Sequence, residues 1–141
     1  MSRFCKAWHN ITLEGAKQVR DHALLKASEL GVSASVVIVD RTGVKLLMET
    51  ADSAPPGASE ASIMKAKGAS RYRVATHVTA EFLKTIPAQL ASQALSLPEV
   101  CALQGGVPIR VEGEIVGGVG VSGGSGEQDV TISLAAAASI T

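Results

Sequence analysis

The chain has 141 residues, and its 13 Lys and Arg balance 13 Asp and Glu, leaving no formal net charge. With 46 % hydrophobic and 18 % charged residues, its composition excludes a disordered chain, and its neutrality offers no basic surface for a nucleic acid or an anionic membrane. The longest uncharged stretch, Thr85 to Pro98, is 14 residues with two prolines, short of the roughly 20 apolar residues a membrane span needs. Residues 1–10 lack the apolar run of a secretory signal. The expectation is one cytoplasmic domain over residues 1–141, with residues 1–10 a less regular N-terminal segment.

In chain order, Thr12 to Leu30 reads as a first helix. Thr12 is placed to cap it, Glu14 lies in its first turn, and Gly31 follows as a stop. Ala16, Val19, Ala23, Ala27 and Leu30 recur at helical spacing and form its buried stripe. Ser33 to Val39 and Val44 to Met48 are rich in β-branched and apolar residues and flank the short turn Asp40 to Gly43, which makes a β-hairpin. The prolines of Ala51 to Gly57 make a loop. A helix over Ser59 to Ala75 carries Ala58, Ala61, Gly68 and Ala69 on one side, so something packs close to its backbone. A shorter helix fits Val78 to Lys84, with a possible continuation beyond Pro87, and Leu95 to Leu103 has no clear pattern. Val107 to Val111 and Ile115 to Val121 flank a tight turn at Glu112 to Glu114, and an alanine-rich helix runs from about Glu127 to Ser139. Two hairpins among helices imply an α+β fold with an antiparallel sheet, not a doubly wound parallel one.

Two features of composition bear on assembly and redox state. Aromatic residues are only 3 % of the chain. Such side chains normally supply much of a core's buried area, so a homo-oligomer that buries more surface between copies is expected. Cys5 and Cys101 lie far apart and form no paired motif, which implies two buried or partly buried free thiols.

The most informative stretch runs from Gly117 to Asp129, GGVGVSGGSGEQD, a strand entering a glycine loop that opens a helix. Two readings stay open. Ser125 caps the helix while Glu127 and Asp129 favour its positive end; or the amides of Ser122, Gly123, Gly124, Ser125 and Gly126 hold a carboxylate or phosphate. The loop is not a dinucleotide fingerprint, because its strand belongs to a hairpin. Lys65, on the small-residue side of the second helix, can pair with Glu127 or Asp129 or enter a site. Arg71 and Arg73 flank Tyr72, and one of them can take a carboxylate if a neighbouring subunit closes the pocket. No residues show the spacing of a metal site or of a Ser-His-Asp or Cys-His catalytic set. A reactive Cys101 would need exposure near a helix end.

The run GGVPIRVEGEIVGGVGVSGGSGEQD, with ITLEGA, the Ala27 to Asp40 tract, APPGAS and Lys65-Ala66 upstream, resembles the signature of the GlcG/HbpS family, called haem-degrading or haem-binding. The resemblance covers about Ile11 to Ala137. It implies a profilin-like α/β/α three-layer arrangement around a five-stranded antiparallel sheet, compact multimers that are often octamers, and a relation to the C-terminal domain of PduO-type corrinoid adenosyltransferases. It also makes haem, or another tetrapyrrole, the candidate ligand. Haem needs an axial side chain facing an apolar slot, and His22 and His77 come ahead of His9 for that role. The few aromatics leave little to stack on a porphyrin, whereas a glycine loop beside acids and Lys65 favours a small polar ligand.

Three functions follow. The first is a small-ligand-binding protein with haem as the family's candidate, bound near the SGGSGEQD loop. The second is a cofactor-independent isomerase or tautomerase on a small organic acid in a catabolic pathway, with Glu127, Asp129 or Lys65 moving a proton. The third is an accessory or assembly subunit with no ligand of its own.

Overall fold

The structure is a computed structural model describing residues 2–141. Helix α1 spans Leu13–Leu30; β1 (Ser35–Asp40) and β2 (Lys45–Thr50) form the first hairpin; α2 (Ala58–Tyr72), α3 (Thr76–Lys84) and α4 (Ala88–Leu95) follow; β3 (Gly106–Val111) and β4 (Glu114–Ser122) form the second hairpin, and α5 covers Gly126–Ala137. Residues 2–10 carry no helix or strand.

Local chemistry explains the boundaries. The Thr12 hydroxyl accepts from the Gly15 amide at 3.0 Å, and Gly31 ends α1 in the left-handed conformation at φ 69°. Of the expected stripe, Ala16, Val19, Ala23 and Ala27 are buried, but Leu30 in the last turn is exposed. Helix α2 stops three residues before the expected Ala75, because Arg73 turns to φ 60°. The short helix beyond it does not run through Pro87: α3 ends at Lys84 and α4 begins after the proline, which forces its predecessor out of helical geometry.

The sheet has the order β2-β1-β4-β3 with every pairing antiparallel. It has four strands where the family resemblance implied five. The tract between α4 and β3 stays irregular because Pro98 lacks an amide donor and Glu99 and Gly105 take positive φ. Along β4, beyond the end of β1, the chain before α1 makes a single backbone bond, from the Ile11 amide to the Val116 carbonyl at 3.0 Å, which is too little for a ladder.

Three layers result. Val36 and Ile38 of β1 face α1 and α5 and join a core with Val19, Ala23, Ile109, Val119, Val121 and Ile132. Val37 and Val39, on the opposite face, pack against Ala66 and Ile63 of α2. Burying each such Val or Ile contributes roughly 1.5–3 kcal/mol. In β4 the α2-facing positions are Gly118 and Gly120. A Cβ on Gly118 would lie 2.7 Å from the Ala66 carbonyl, and one on Gly120 would run into the Ser62 carbonyl. Helix α2 therefore rests directly on the strand backbone, the close approach that its small residues announce. No helix among the described residues is long and apolar enough to cross a membrane.

Candidate functional site

The loop from β4 to α5 is tied down by its own chain. The Ser125 hydroxyl accepts from the Gln128 amide at 3.1 Å while the Gln128 side chain accepts from the Ser125 amide at 2.9 Å, a reciprocal cap. Asp129 Oδ1 accepts from the Gly124 amide at 3.0 Å, and its Oδ2 accepts from Lys65 Nζ at 2.9 Å. Lys65 Nζ also donates to the Val121 carbonyl at 2.9 Å. Gly123 takes φ 128°, open to glycine alone, and a Cβ there would run into the Ser33 carbonyl. Two of the loop amides expected to face an anion, those of Gly124 and Ser125, are thus occupied by Asp129 and Gln128.

The expected site residues separate into distinct places. Lys65 and Asp129 form an ion pair with side-chain exposures of 5 % and 4 %. Ser122 is buried, Gly123 and Gly124 are half-buried, and Ser125, Gly126 and Glu127 are exposed. Glu127 points away from the ion pair into a cavity of about 340 Å³, lined also by His77 and Glu81 of α3, Gln104, and Val130 and Thr131 of α5. His77 is half-buried, and its Nδ1 is a buried atom with no hydrogen-bond partner. His22 is exposed, with Nδ1 3.0 Å from the Gln18 carbonyl oxygen. Arg71 is exposed on α2 with Nε 3.1 Å from Glu99 Oε2. The structure thus brings His77 and Glu127 together and leaves His22 and Arg71 elsewhere.

Glu81, Gln104, Val130 and Thr131 were not anticipated. Glu81 is one turn from His77, and Val130 and Thr131 are one turn from Glu127, so helical spacing pointed to three of them. Gln104 has no local signal; it is placed by Gly126, where a Cβ would lie 2.6 Å from its Oε1.

A larger cavity of about 540 Å³ lies at the other end of the sheet, between the arm before α1, the first turns of α1 and the β3–β4 turn. There His9 Nδ1 is 2.8 Å from Glu114 Oε2, and that hydrogen bond holds the Glu114 carboxyl below the usual carboxylate range. Cys101 is buried, which pushes its thiol up and away from the reactive thiolate form. Cys5 is exposed rather than buried or partly buried, because it sits in the irregular arm. Among the described residues no group of three or more His, Cys, Asp or Glu is placed to hold a metal ion.

Three likenesses to known proteins accompany this geometry. The chain is 33 % identical over 119 residues to the uncharacterized 15.0 kDa protein of the dhaT-dhaS intergenic region of Citrobacter freundii, covering 84 % of each. It is 30 % identical over 131 residues to the corrinoid adenosyltransferase PduO of the same organism, covering 93 % of this chain but only 39 % of PduO. Among solved structures, the complex of PduOC with haem superposes with a TM-score of 0.84 at 29 % identity, over 94 % of this chain and 96 % of that one. The model of the HbpS-like family, described as haem-degrading protein HbpS-like, matches residues 11–138. The chain belongs to the HbpS-like family.

Proposed function

We propose that this chain binds haem, or another tetrapyrrole, in the cavity between α3 and α5, where His77 would hold the iron. The observation that carries the reading is the His77 ring. It is half-buried and is the one histidine among the residues that line the cavity. Of the lining residues, His77 would hold the iron and Val130 would pack on the ring, while Glu81, Gln104, Glu127 and Thr131 make the rest of the lining polar. Leu134, one turn beyond Val130 on α5, and Leu103, next to Gln104 in the chain, are exposed. Glu81 and Glu127 would repel a tetrapyrrole's carboxylates, so those would have to lie toward solvent. Bound haem would supply redox and dioxygen chemistry; the chain orients it and shields one face. The PduOC complex with haem supports the reading at the level of the family.

In this reading the Lys65–Asp129 pair and the Ser122 to Gly126 loop fix the start of α5, whose Glu127, Val130 and Thr131 line the site, rather than entering it. Arg71 reaches a ligand only across a contact with a neighbouring copy. The protein is proposed to work as a homo-oligomer, up to the octamer, within the cytoplasm.

A second reading is favoured by the convergence of His77, Glu81 and Glu127 on one cavity: an isomerase or tautomerase on a small organic acid, in which Glu127 moves the proton and His77 assists. Lys65 and Asp129 are sealed and satisfied, so they are poorly placed to exchange protons with a ligand. An accessory subunit without a ligand is the third reading, favoured by the exposed apolar faces of α3 and α4.

Haemin titration tests the choice. The expected result is a shifted Soret band and a haem mass retained in native mass spectrometry, both lost in His77→Ala and kept in His22→Ala. A protein that leaves added haemin unbound would sink the haem reading. Solvent-deuterium incorporation into a small carboxylic acid, abolished by Glu127→Gln, would then establish the isomerase, and neither signal would leave the assembly role.

A further inference from the structure

The chain has two phenylalanines, and both lie outside its core. Phe4 is 83 % exposed in the segment before α1, and Phe82 is 59 % exposed on α3. Aromatic rings carry the largest apolar areas a core can use, so each is an unused contribution to burial.

The two rings stand beside charges of opposite sign. Residues 2–9 hold Arg3 and Lys6 on either side of Phe4 and no acid. Arg3 Cζ lies 4.7 Å from the centroid of the Phe4 ring. Among the described residues, neither Arg3 nor Lys6 has an ion-pair partner. Phe82 follows Glu81, which lines the cavity between α3 and α5 with Glu127 and without any Lys or Arg. On α3, His77 and Glu81 form one row, and the exposed Val78 and Phe82 form the next, about 100° around the helix. Glu81 pairs with Lys84 at 2.9 Å, but both groups are well exposed, so that pair holds little. This face of α3 thus offers acids beside apolar side chains, and the segment before α1 offers cations beside a ring.

The two do not meet within one copy. Residues 8–11 are fixed at the opposite end of the sheet. The Trp8 ring lies 4.4 Å from Arg41 Cζ, the Arg41 amide donates to Asn10 Oδ1 at 2.9 Å, and the Ile11 amide donates to the Val116 carbonyl at 3.0 Å. Residues 2–7 are exposed and bond only among themselves. From Val116 to Ser122, where β4 ends near the cavity, the strand covers about 20 Å. From Trp8 to Phe4 a fully extended chain covers at most about 14 Å. While Trp8 stays on Arg41, Phe4 falls short of the cavity of its own copy.

We infer that the segment before α1 docks on a second copy of this chain, with Phe4 against Val78 and Phe82 of α3 and with Arg3 and Lys6 against Glu81 and Glu127. One copy then completes the mouth of the cavity of another. The contact uses the outer rows of α3 and stands without the haem reading.

Cross-linking tests the contact, because Cys5 is exposed next to Phe4 and the other cysteine, Cys101, is buried. Val78→Cys puts a thiol on the apolar row of α3, and a short bis-maleimide should join it to Cys5 of another copy. The product is a dimer at twice the 14.4 kDa chain, its link mapped by peptide mass. Lys17→Cys, on the exposed side of α1, should give no such link. Arg3→Glu with Lys6→Glu should lower the yield about ten-fold, because like charges then face each other, and adding Glu81→Lys with Glu127→Lys should restore it. Phe82→Cys carries the test if Val78→Cys does not fold. The proposal is overturned if no link joins α3 to Cys5, if the link lies within one chain, or if its yield ignores the charge reversal. An equal yield from Lys17→Cys overturns it too. So does a protein that forms no link and sediments with phosphatidylserine vesicles, because the segment then meets a membrane.

Discussion

Lys65 and Asp129 come from different elements, α2 and α5, and close the loop between β4 and α5 from both sides. Two opposite charges removed from water gain from each other only while both are present and their remaining atoms are bonded. Both conditions hold, through the Val121 carbonyl on Lys65 and the Gly124 amide on Asp129. Asp129→Asn leaves the lysine charge buried and is expected to destabilise the fold by about 3–5 kcal/mol. The double variant Lys65→Met with Asp129→Asn should recover part of that loss, both read from urea denaturation. A single-variant loss below about 1 kcal/mol would show that the pair is not the fastening described. The sequence left open whether Lys65 meets Glu127 or Asp129. Two residues apart on a helix is a rotation of about 200°, so one acid faces the sheet and the other the cavity. Which one faces inward depends on how α5 lies on the sheet, and local pattern does not carry that. His77 was legible only as a histidine between helices; its cavity is formed by α5, more than 40 residues on.

At the scale of elements, the Gly–Val alternation of Gly118 to Val121 explains the packing of α2. The valines Val119 and Val121 fill the core on one face, and Gly118 and Gly120 present bare backbone on the other, where Ser62, Ala66, Ala69 and Ser70 of α2 are buried. Gly120→Ala puts a methyl group against the Ser62 carbonyl and within 2.5 Å of the Ala66 amide nitrogen, both backbone atoms that yield only if the helix moves. The expected cost is about 1–3 kcal/mol. Gly57→Ala, where a Cβ meets nothing within 4 Å, should stay within about 0.5 kcal/mol. Equal denaturation midpoints for the two variants would refute the close packing. Both hairpins and the ends of α1 were legible because caps, turns and periodicity are local. The strand count was not, since a fifth strand requires a ladder and the tract from Ser96 to Gly105, with Pro98 and two positive-φ residues, forms none.

For the molecule as a whole, the unfinished business is α3 and α4. Both are amphipathic, yet of their residues only Thr76 is buried. Val78 and Phe82 on α3, Leu90 and Leu95 on α4, and Leu97 just beyond remain exposed. Scattered exposed leucines are ordinary, but a run of them on two consecutive helices is the pattern of a surface that meets a partner. A second copy of this chain fits, because a chain of no net charge sets no long-range repulsion against itself. The sparse aromatic content leaves the core of one copy modest, so contact between copies would add apolar burial. Phe82→Glu with Leu90→Glu places a charge on each apolar face without touching the core. The expected outcome is a fall in mass by light scattering at micromolar concentration, from an oligomer toward the 14.4 kDa monomer, with the circular-dichroism spectrum unchanged. If the double variant keeps its assembled mass, the copies meet elsewhere and these helices are free for a different partner.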